Sequence, residues 1–327
     1  MLRRNNMKAK MTVIILTYNR AEMLNRAVDS VLAQSFQEYE LLLINNGSTD
    51  NTSSICNAYA EKNNSVRVST LPVNQGISAA RNFALDQVRT EFCIFIDDDD
   101  FIEPDMLAHL YGMVQDFQAD IAITGCVDEY PDGRIVPKYQ YDERYILNRE
   151  EGVSEFLKRE KFHTSPGTKL FRYRLFDGIR FPKGVLIDDI HTIYKLFVAA
   201  SRTVVQGIPD YHYCKHVGNA TGFLSGSLLR PEVLEDYLNM QEERIAYISE
   251  KLPSLTEQTV YAKYSYLISM VERIEKGEAE RCEAYLIRMK NTLRENADRF
   301  LQMKWVTERE RRLMAQYVLH MAQYVLH

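Results

Sequence analysis

The chain has 327 residues, 46% hydrophobic and 26% charged, with a formal net charge of −5. That is long enough for one large core or two domains, and the acidic balance leaves no electrostatic footprint for nucleic acid. The apolar run behind the basic start spans only residues 13–16, and nothing later approaches the roughly 18 apolar residues of a membrane span. The chain therefore reads as cytoplasmic, with peripheral contact at the inner face of the cell membrane left open for a lipid-borne substrate.

Cys56, Cys93, Cys126, Cys214 and Cys282 are scattered and never in C-x-x-C spacing, which suits buried thiols in a reducing compartment. Residues 12–16, TVIIL, predict a strand closed by Thr17, Tyr18 and Asn19. Leu24, Ala27, Val28, Val31 and Leu32 recur at three- and four-residue spacing, predicting a helix over about 22–34. Residues 41–44 predict a second strand running into Asn45-Asn46-Gly47-Ser48-Thr49-Asp50, a short-chain turn suited to cap the next helix. A third strand is expected at 66–69. Asn74-Gln75-Gly76 then turns the chain, and Ser78 is expected to cap a helix through Val88. The fourth strand, 92–96, stops abruptly at Asp97, Asp98, Asp99 and Asp100. Pro104 fits the first turn of a helix that buries Leu107, Leu110, Tyr111, Val114 and Phe117. A fifth strand follows at 121–124. This β-to-α alternation predicts an α/β fold, a mostly parallel sheet with helices on both faces.

Beyond Cys126 the pattern loosens. Residues 127–137 predict a hairpin around Tyr130-Pro131-Asp132-Gly133. A short helix at 150–161, a strand at 169–173 and a turn at 181–184 follow. A helix opens on Asp188-Asp189 and continues through Phe197, and a last strand is expected at 203–205. Residues 219–229 are short-chain, rich in Gly and Ser, and mobile in character. From residue 231 onward only Pro231, Pro253 and Gly277 break a run of three or four helices, whose short connections imply antiparallel packing. The expected division is a flexible N-terminus over 1–10, the α/β domain over 11–225 and an all-helical C-terminal domain over 226–327. MAQYVLH occurs at 314–320 and again at 321–327, a duplicated helix tail with too few copies for a solenoid.

A buried strand that ends in carboxylates delivers them to the edge where open α/β sheets bind ligands. Adjacent anions repel one another, so a divalent cation and substrate phosphates are the expected counterweight. The polar groups after successive parallel strands converge: residues 17–19, 45–50 and 74–82 offer hydrogen bonds to a base and ribose. Residues 97–100 offer hard oxygens to Mg²⁺ or Mn²⁺ bridging a diphosphate. Neither G-x-G-x-x-G nor G-x-x-x-x-G-K-S/T occurs, which argues against dinucleotide and P-loop readings.

In this order, TVIILTYNR (12–20), NNGSTD (45–50), NQGISAARNFAL (74–85), FIDDDDF (95–101) and KLFRYRLF, IRFPKG and IDD within 169–189 resemble family 2 of the inverting glycosyltransferases. These are nucleotide-sugar enzymes of GT-A fold that build capsules, teichoic acids and outer polysaccharides. The resemblance covers residues 12–216. It implies a nucleotide-sugar donor, UDP foremost, a saccharide or lipid-linked saccharide acceptor, and Mn²⁺ or Mg²⁺ as cofactor. Thr17, Tyr18 and Asn19 match the family's first nucleotide-contacting loop. Asn46, with Ser48 nearby, stands where the family has an Asp that accepts from uracil. An amide can also accept, but its NH₂ lets it face an acceptor instead. Gly76 and Arg81 match a helix start that holds nucleotide or orients aspartates. Asp97 and Asp99 match the D-x-D pair: Asp97 meets the ribose, or the metal through water, and Asp99 ligates the metal. Asp98 takes the middle place on the nucleotide sugar, and Asp100 is a candidate to support the metal ligands from behind or to stand on the acceptor side.

Arg180, Lys183, Lys215 and His216 are the cations expected to help neutralise the leaving diphosphate, His216 as a metal ligand. Asp188-Asp189 replaces the family's Glu-Asp at a helix start. Asp189 is the expected base and Asp188 its orienting or acceptor-binding neighbour, in a dipole that keeps carboxylates ionised. His163 and Lys169 are further acceptor-side candidates. Two alternatives stay open: a nucleotidyltransferase on a related fold, and a catalytically weak scaffold whose helical tail binds a partner enzyme. For that tail, which the resemblance does not reach, a buttress, a homodimer surface and a membrane-surface contact are all open.

Overall fold

The computed structural model describes residues 9–216 and 229–319. The start of the chain, the expected loop at 219–229 except Leu229, and the second MAQYVLH copy lie outside the described residues. Two compact units form. One runs to Gly184 and resumes over Asp188–His216; the other takes Val185–Ile187 and the helices from Pro231 onward.

The first unit follows the order β1 (Met11–Thr17), α1 (Leu24–Leu32), β2 (Tyr39–Asn45), α2 (Thr52–Lys62), β3 (Val66–Thr70), α3 (Ile77–Leu85), β4 (Phe92–Asp97), β5 (Phe101–Ile102) and α4 (Met106–Asp116). It continues through β6 (Ile121–Ile123), β7 (Cys126–Glu129), β8 (Ile135–Lys138), β9 (Tyr141–Asn148), α5 (Arg149–Lys158), β10 (Lys169–Arg172), α6 (Asp188–Ala199), β11 (Arg202–Gly207) and β12 (Tyr211–Cys214). Eight strands form one sheet in the order β3-β2-β1-β4-β10-β6-β11-β9, and β5-β12-β7-β8 form a second. Strands β3, β2, β1 and β4 are mutually parallel, as are β6 and β11. β10 is inserted antiparallel between β4 and β6, and β9 closes the edge antiparallel to β11.

Strands covered on both faces need continuous apolar runs rather than alternation. Val13, Ile14 and Ile15 accordingly have no exposed surface, and neither have Leu41, Leu42, Leu43 and Ile44. Leu24, Ala27, Val28 and Val31 of α1 and Leu107 and Leu110 of α4 pack with Val13, Ile15, Leu41 and Leu43 in one core. The parallel register pairs Thr17 with Asn45, Asn45 with Thr70 and Leu16 with Asp97. The polar sequences after β1, β2, β3 and β4 therefore begin level with one another at a single sheet edge.

Two local expectations are corrected, and one strand is new. Ser78 caps nothing: α3 starts at Ile77 behind Gly76, whose φ of 82° suits glycine, and Ser78 is buried in the first turn. Pro104 lies ahead of α4, which is entered at Asp105, and its carbonyl accepts from Ser35 N at 2.8 Å. The strand β9 has no counterpart in the sequence reading, because YDERYILN is charged as an edge strand can be.

The second unit contains α7 (Pro231–Lys251), α8 (Thr256–Glu275), α9 (Glu283–Glu295), α10 (Ala297–Gln302) and α11 (Glu308–Leu313). Its core joins Val260, Leu267, Ile268 and Val271 to Met289, Leu293 and Phe300. The first MAQYVLH copy forms a π turn, Met314–Leu319, that buries Met314, Ala315 and Val318. Asp236 Oδ2 accepts from the backbone N–H groups of Leu186 and Ile187 at 3.1 and 2.8 Å, binding Val185–Ile187 into this unit. Among the described residues no helix is long and apolar enough to cross a membrane. All five cysteines are buried free thiols.

Candidate functional site

Strand β4 ends at Asp97, and a turn closed by Asp100 N donating to Asp97 O at 3.2 Å presents the other three aspartates. Asp97, Asp98 and Asp99 are half-buried. Burial above all, then the neighbouring negative charges, pushes the Asp97 carboxyl up to about 6, against the pull of Arg81. Burial likewise pushes Asp98 up to about 7. Carboxyls crowded and desolvated in this way are favoured by a nearby cation. Asp100 differs from its neighbours. It is 3% exposed, its Oδ2 accepts from Tyr211 Oη at 2.7 Å, and its Oδ1 accepts from Cys214 N at 2.8 Å. Tyr211 Oη also accepts from Asp97 N at 3.2 Å. Asp100 is thus a brace between the aspartate turn and β12.

Among the described residues, three basic side chains meet this turn. His216 Nε2 lies 3.0 Å from Asp99 Oδ2. Arg20 stands 3.8 Å from Asp98 and 3.9 Å from Asp99, and Arg26 donates to the Asp99 carbonyl at 2.8 Å while lying over Phe101. The other three expected cations are engaged elsewhere or point out. Lys215 pairs with Asp128 at 2.9 Å, Arg180 donates to Phe176 O and Asp86, and Lys183 is exposed. Arg20 sits in the same TYNR stretch as the nucleotide loop and was legible there. Arg26, a turn and a half along from it, and Tyr211, more than a hundred residues from the turn it braces, had no local signal.

Arg81 joins the two acidic groups. It is 5% exposed on α3, its Nη1 donates to Asp188 Oδ1, and its guanidinium lies 5.2 Å from the Phe181 ring and 5.9 Å from that of Phe95. Its charge acts on Asp188, Asp97 and Asp189 together. Asn82, the next residue, exchanges hydrogen bonds with Phe181 at 2.8 and 3.0 Å and pins the segment ahead of α6. Asp188 is buried and Asp189 half-buried at the first turn of α6. Burial raises the Asp189 carboxyl, and Arg81 opposes the rise. Asp188 Oδ2 and Asp189 Oδ1 are buried oxygens with no hydrogen-bond partner among the described residues. Unpaired carboxylate oxygens of this kind normally serve a ligand or a proton.

The loops after β1, β2 and β3 are built of amides. Asn19, at a φ of 53° that asparagine tolerates, donates from its backbone N to Ser48 Oγ at 3.0 Å and accepts from Thr49 N at 2.8 Å. Thr17 is buried and Tyr18 is 40% exposed. Asn46 is 5% exposed. Its Nδ2 donates to Asn74 Oδ1 at 3.1 Å and Gly76 O at 3.3 Å, and its Oδ1 accepts from Gln75 N at 3.1 Å.

Lys169 is fully buried and donates to His163 O at 2.5 Å, Ser165 O at 2.6 Å and Thr168 Oγ1 at 3.1 Å, with burial pulling its ammonium down to about 7. All three N–H bonds are spent on pegging the 163–168 loop, so the expectation that Lys169 meets an acceptor is corrected: one lysine in a sequence does not reveal its burial. His163 sits on that loop, partly exposed, with Nδ1 accepting from Ser165 N at 3.1 Å. Burial, then the charge of Lys169, pulls its pKa to about 3. The ring is therefore neutral, with its proton on Nε2.

Among the described residues no three His, Cys, Asp or Glu side chains form a ready metal cage, so Asp97, Asp99 and His216 are not a closed ligand set. Hard divalent ions do not require one: Mg²⁺ is commonly held by one or two carboxylates with substrate phosphates and water completing the shell. Asp99 beside His216, with Asp97 at the end of the strand, is a donor set of that open kind.

The model of the family described as "Glycosyl transferase family 2" matches residues 12–180. The chain is 28% identical to the glycosyltransferase GlyG of Streptococcus pneumoniae, over 69% of this chain and 75% of that protein. Its fold is similar to that of S. aureus TarS 1–349, solved in complex with UDP-GlcNAc. The TM-score is 0.61 at 22% identity, covering 89% of this chain and 92% of that one. A mannosyltransferase from Pyrobaculum calidifontis, solved with GDP-Man and Mn²⁺, matches with a TM-score of 0.52 at 16% identity, over 91% of this chain and 88% of that one.

Proposed function

The chain belongs to glycosyl transferase family 2, and from that premise we propose that it moves a sugar from a UDP-sugar to a hydroxyl of a saccharide or lipid-linked saccharide, inverting the anomeric carbon. The products belong to bacterial surface polysaccharide, and a lipid-linked acceptor would bring the reaction to the inner face of the cell membrane. One observation carries the reading: Arg81 is bonded to Asp188 at the start of α6 and lies 5.9 Å over the ring of Phe95 in β4, two residues before Asp97.

The division of labour follows from charge. Asp189, whose raised pKa and unpaired Oδ1 suit proton uptake, removes the proton from the acceptor hydroxyl as that oxygen bonds to the anomeric carbon. The bond to the diphosphate breaks in the same displacement, and its electron pair leaves on the diphosphate oxygen. The N-terminus of α6 limits how far the Asp189 carboxyl rises. Asp188, held by Arg81, fixes the first turn. Asp99, with Asp97 and His216 beside it, is where Mn²⁺ or Mg²⁺ would be held to neutralise charge growing on the leaving group. Arg20, 3.8 Å from Asp98 and 3.9 Å from Asp99, would add positive charge beside a phosphate held at that turn. UDP-GlcNAc in TarS and GDP-Man with Mn²⁺ in the mannosyltransferase support the donor class and the ion.

The test needs no acceptor. A panel of UDP-sugars is incubated with the protein, with Mn²⁺ or with EDTA, and the sugar released by slow hydrolysis is followed by proton NMR. The expected first product is the anomer opposite to the donor's, formed with Mn²⁺ and not with EDTA. Release with retained configuration overturns the inverting mechanism, and equal rates in EDTA overturn the role of the ion.

A further inference from the structure

Beside the carboxylates of β4 and α6 the same unit carries a cluster of the opposite sign. The ring of His163, partly exposed, lies 5.3 Å from that of Tyr213 and 6.4 Å from that of Tyr139. Lys215 Nζ lies 5.4 Å from the centre of the Tyr213 ring and 2.9 Å from Asp128, and the same carboxylate binds Lys138. After burial, the charges that hold the His163 imidazole neutral come from Lys169, Arg159, Lys138 and Lys215, all of them positive. Two lysines share one carboxylate and exposed Arg159 adds a further charge, so the cluster keeps a positive balance. Beneath it, buried Lys169 meets only the neutral oxygens of His163, Ser165 and Thr168, with no carboxylate in contact among the described residues. His163 leaves one donor open: Nδ1 accepts from Ser165 N at 3.1 Å, and the proton on Nε2 has no partner among the described residues. The cluster adjoins the proposed reacting centre. Tyr213 packs on Tyr211 at 4.5 Å, Tyr211 Oη accepts from Asp97 N at 3.2 Å, and the charges of Lys169 and Asp189 act on each other.

We propose that His163, with Lys138, Lys215 and Arg159 around it, binds a phosphate group of the acceptor, so that the sugar is transferred to a phosphate-bearing molecule. This rests on the glycosyl-transfer reading above and names the acceptor class. A neutral saccharide gains nothing from this charge. An anionic acceptor needs it, because the carboxylates of β4 and α6 repel an incoming anion unless a local positive field offsets them. An open N–H donor flanked by ammonium and guanidinium groups is what phosphate oxygens satisfy with charge-assisted hydrogen bonds. The phosphate is supplied either by a soluble polyol or sugar phosphate or by the diphosphate of a lipid carrier, and the recognition chemistry is the same for both.

The experiment first fills the donor site of the full chain with UDP and Mn²⁺, its affinity measured by calorimetry. Glycerol phosphate is then titrated while the His163 ring is followed by NMR, its signal assigned with His163→Gln. The expected result is a saturable shift of that signal with UDP still bound. In Lys138→Gln/Arg159→Gln the affinity for glycerol phosphate should fall about tenfold while that for UDP is unchanged, and raised salt should weaken the binding in the parent. Flotation with phosphatidylcholine vesicles, plain or carrying a polyisoprenyl diphosphate, tells the sources apart. Preferred capture by the diphosphate vesicles assigns the phosphate to a lipid carrier, and no preference assigns it to a soluble phosphate. No shift of His163, displacement of glycerol phosphate by UDP, or equal affinity in the double variant overturns the inference and leaves the donor reading intact. Failure of UDP itself to bind removes both.

Discussion

Two stretches of one sheet edge solve the same problem in opposite ways. At the ends of β1, β2 and β3 the polar side chains are amides and hydroxyls that satisfy each other: Asn19 with Ser48 and Thr49, Asn46 with residues 74–76. At the end of β4 and the start of α6 they are carboxylates, too many for their cations, with Asp188 Oδ2 and Asp189 Oδ1 unpaired among the described residues. Amides and hydroxyls paired in this way are satisfied before any ligand arrives and so give a fixed shape. A network of excess negative charge is incomplete by construction, and in the proposed reaction a cation and a proton in transit complete it. Shape on one side and chemistry on the other is what a group-transfer site requires.

If the difference is real, damage on the two sides should have different signatures. The largest effect is expected from Asp99→Ala, which removes the carboxylate facing His216 and Arg20: sugar release should fall on the order of 10³-fold, with thermal stability kept or improved because a repulsion is relieved. A variant within tenfold of the parent rate breaks the assignment. Next comes Arg81→Met, which strands buried Asp188 and should destabilise by roughly 3–5 kcal/mol in urea unfolding. Adding Asp188→Leu should restore much of that, and a double variant as weak as the single one contradicts the pairing.

On the amide side, Gly47→Ala should cost roughly 1–3 kcal/mol from the left-handed backbone alone, more if the Val73 backbone cannot shift, and should weaken UDP binding through the loop rather than alter turnover of bound donor. The last test is set by pH. His163 has its pKa pulled from 6.5 to about 3 by burial, so between those values the unfolded chain binds the extra proton. Stability then rises with pH across that window, by up to roughly 1.4 kcal/mol per unit. It is lost as pH falls from 6.5 toward 3. His163→Gln should flatten that part of the stability profile, and an unchanged slope means another group is responsible.

Much of the parallel half of the sheet was readable because TVIIL and LLLI can only be strands buried on both faces. The acids were readable because a carboxylate run at a strand end has few structural uses. The antiparallel insertion of β10 was not, since KLFR says nothing about its neighbours, and β9 was hidden by its charges. The surroundings of Asp100 and Lys169 were hidden for a shared reason. Their burial is decided by partners that no local pattern announces, Tyr211 and Cys214 for one and the 163–168 loop for the other. Arg26 and Tyr211 escaped notice for the same cause in reverse. The inward turn of Asn46 could not be told from an outward one without Asn74, Gln75 and Gly76 in place.

Replacing one oxygen of Asp189 by an amide tests the central claim most directly. The asparagine of Asp189→Asn keeps the size of the side chain at the start of α6 but cannot accept the hydroxyl proton. In this variant, UDP affinity in the presence of Mn²⁺ should stay within about threefold of the parent while sugar transfer falls on the order of 10³-fold. Turnover within tenfold of the parent, with UDP still bound, would show that the proton goes elsewhere and that the α6 pair is not part of the reacting centre.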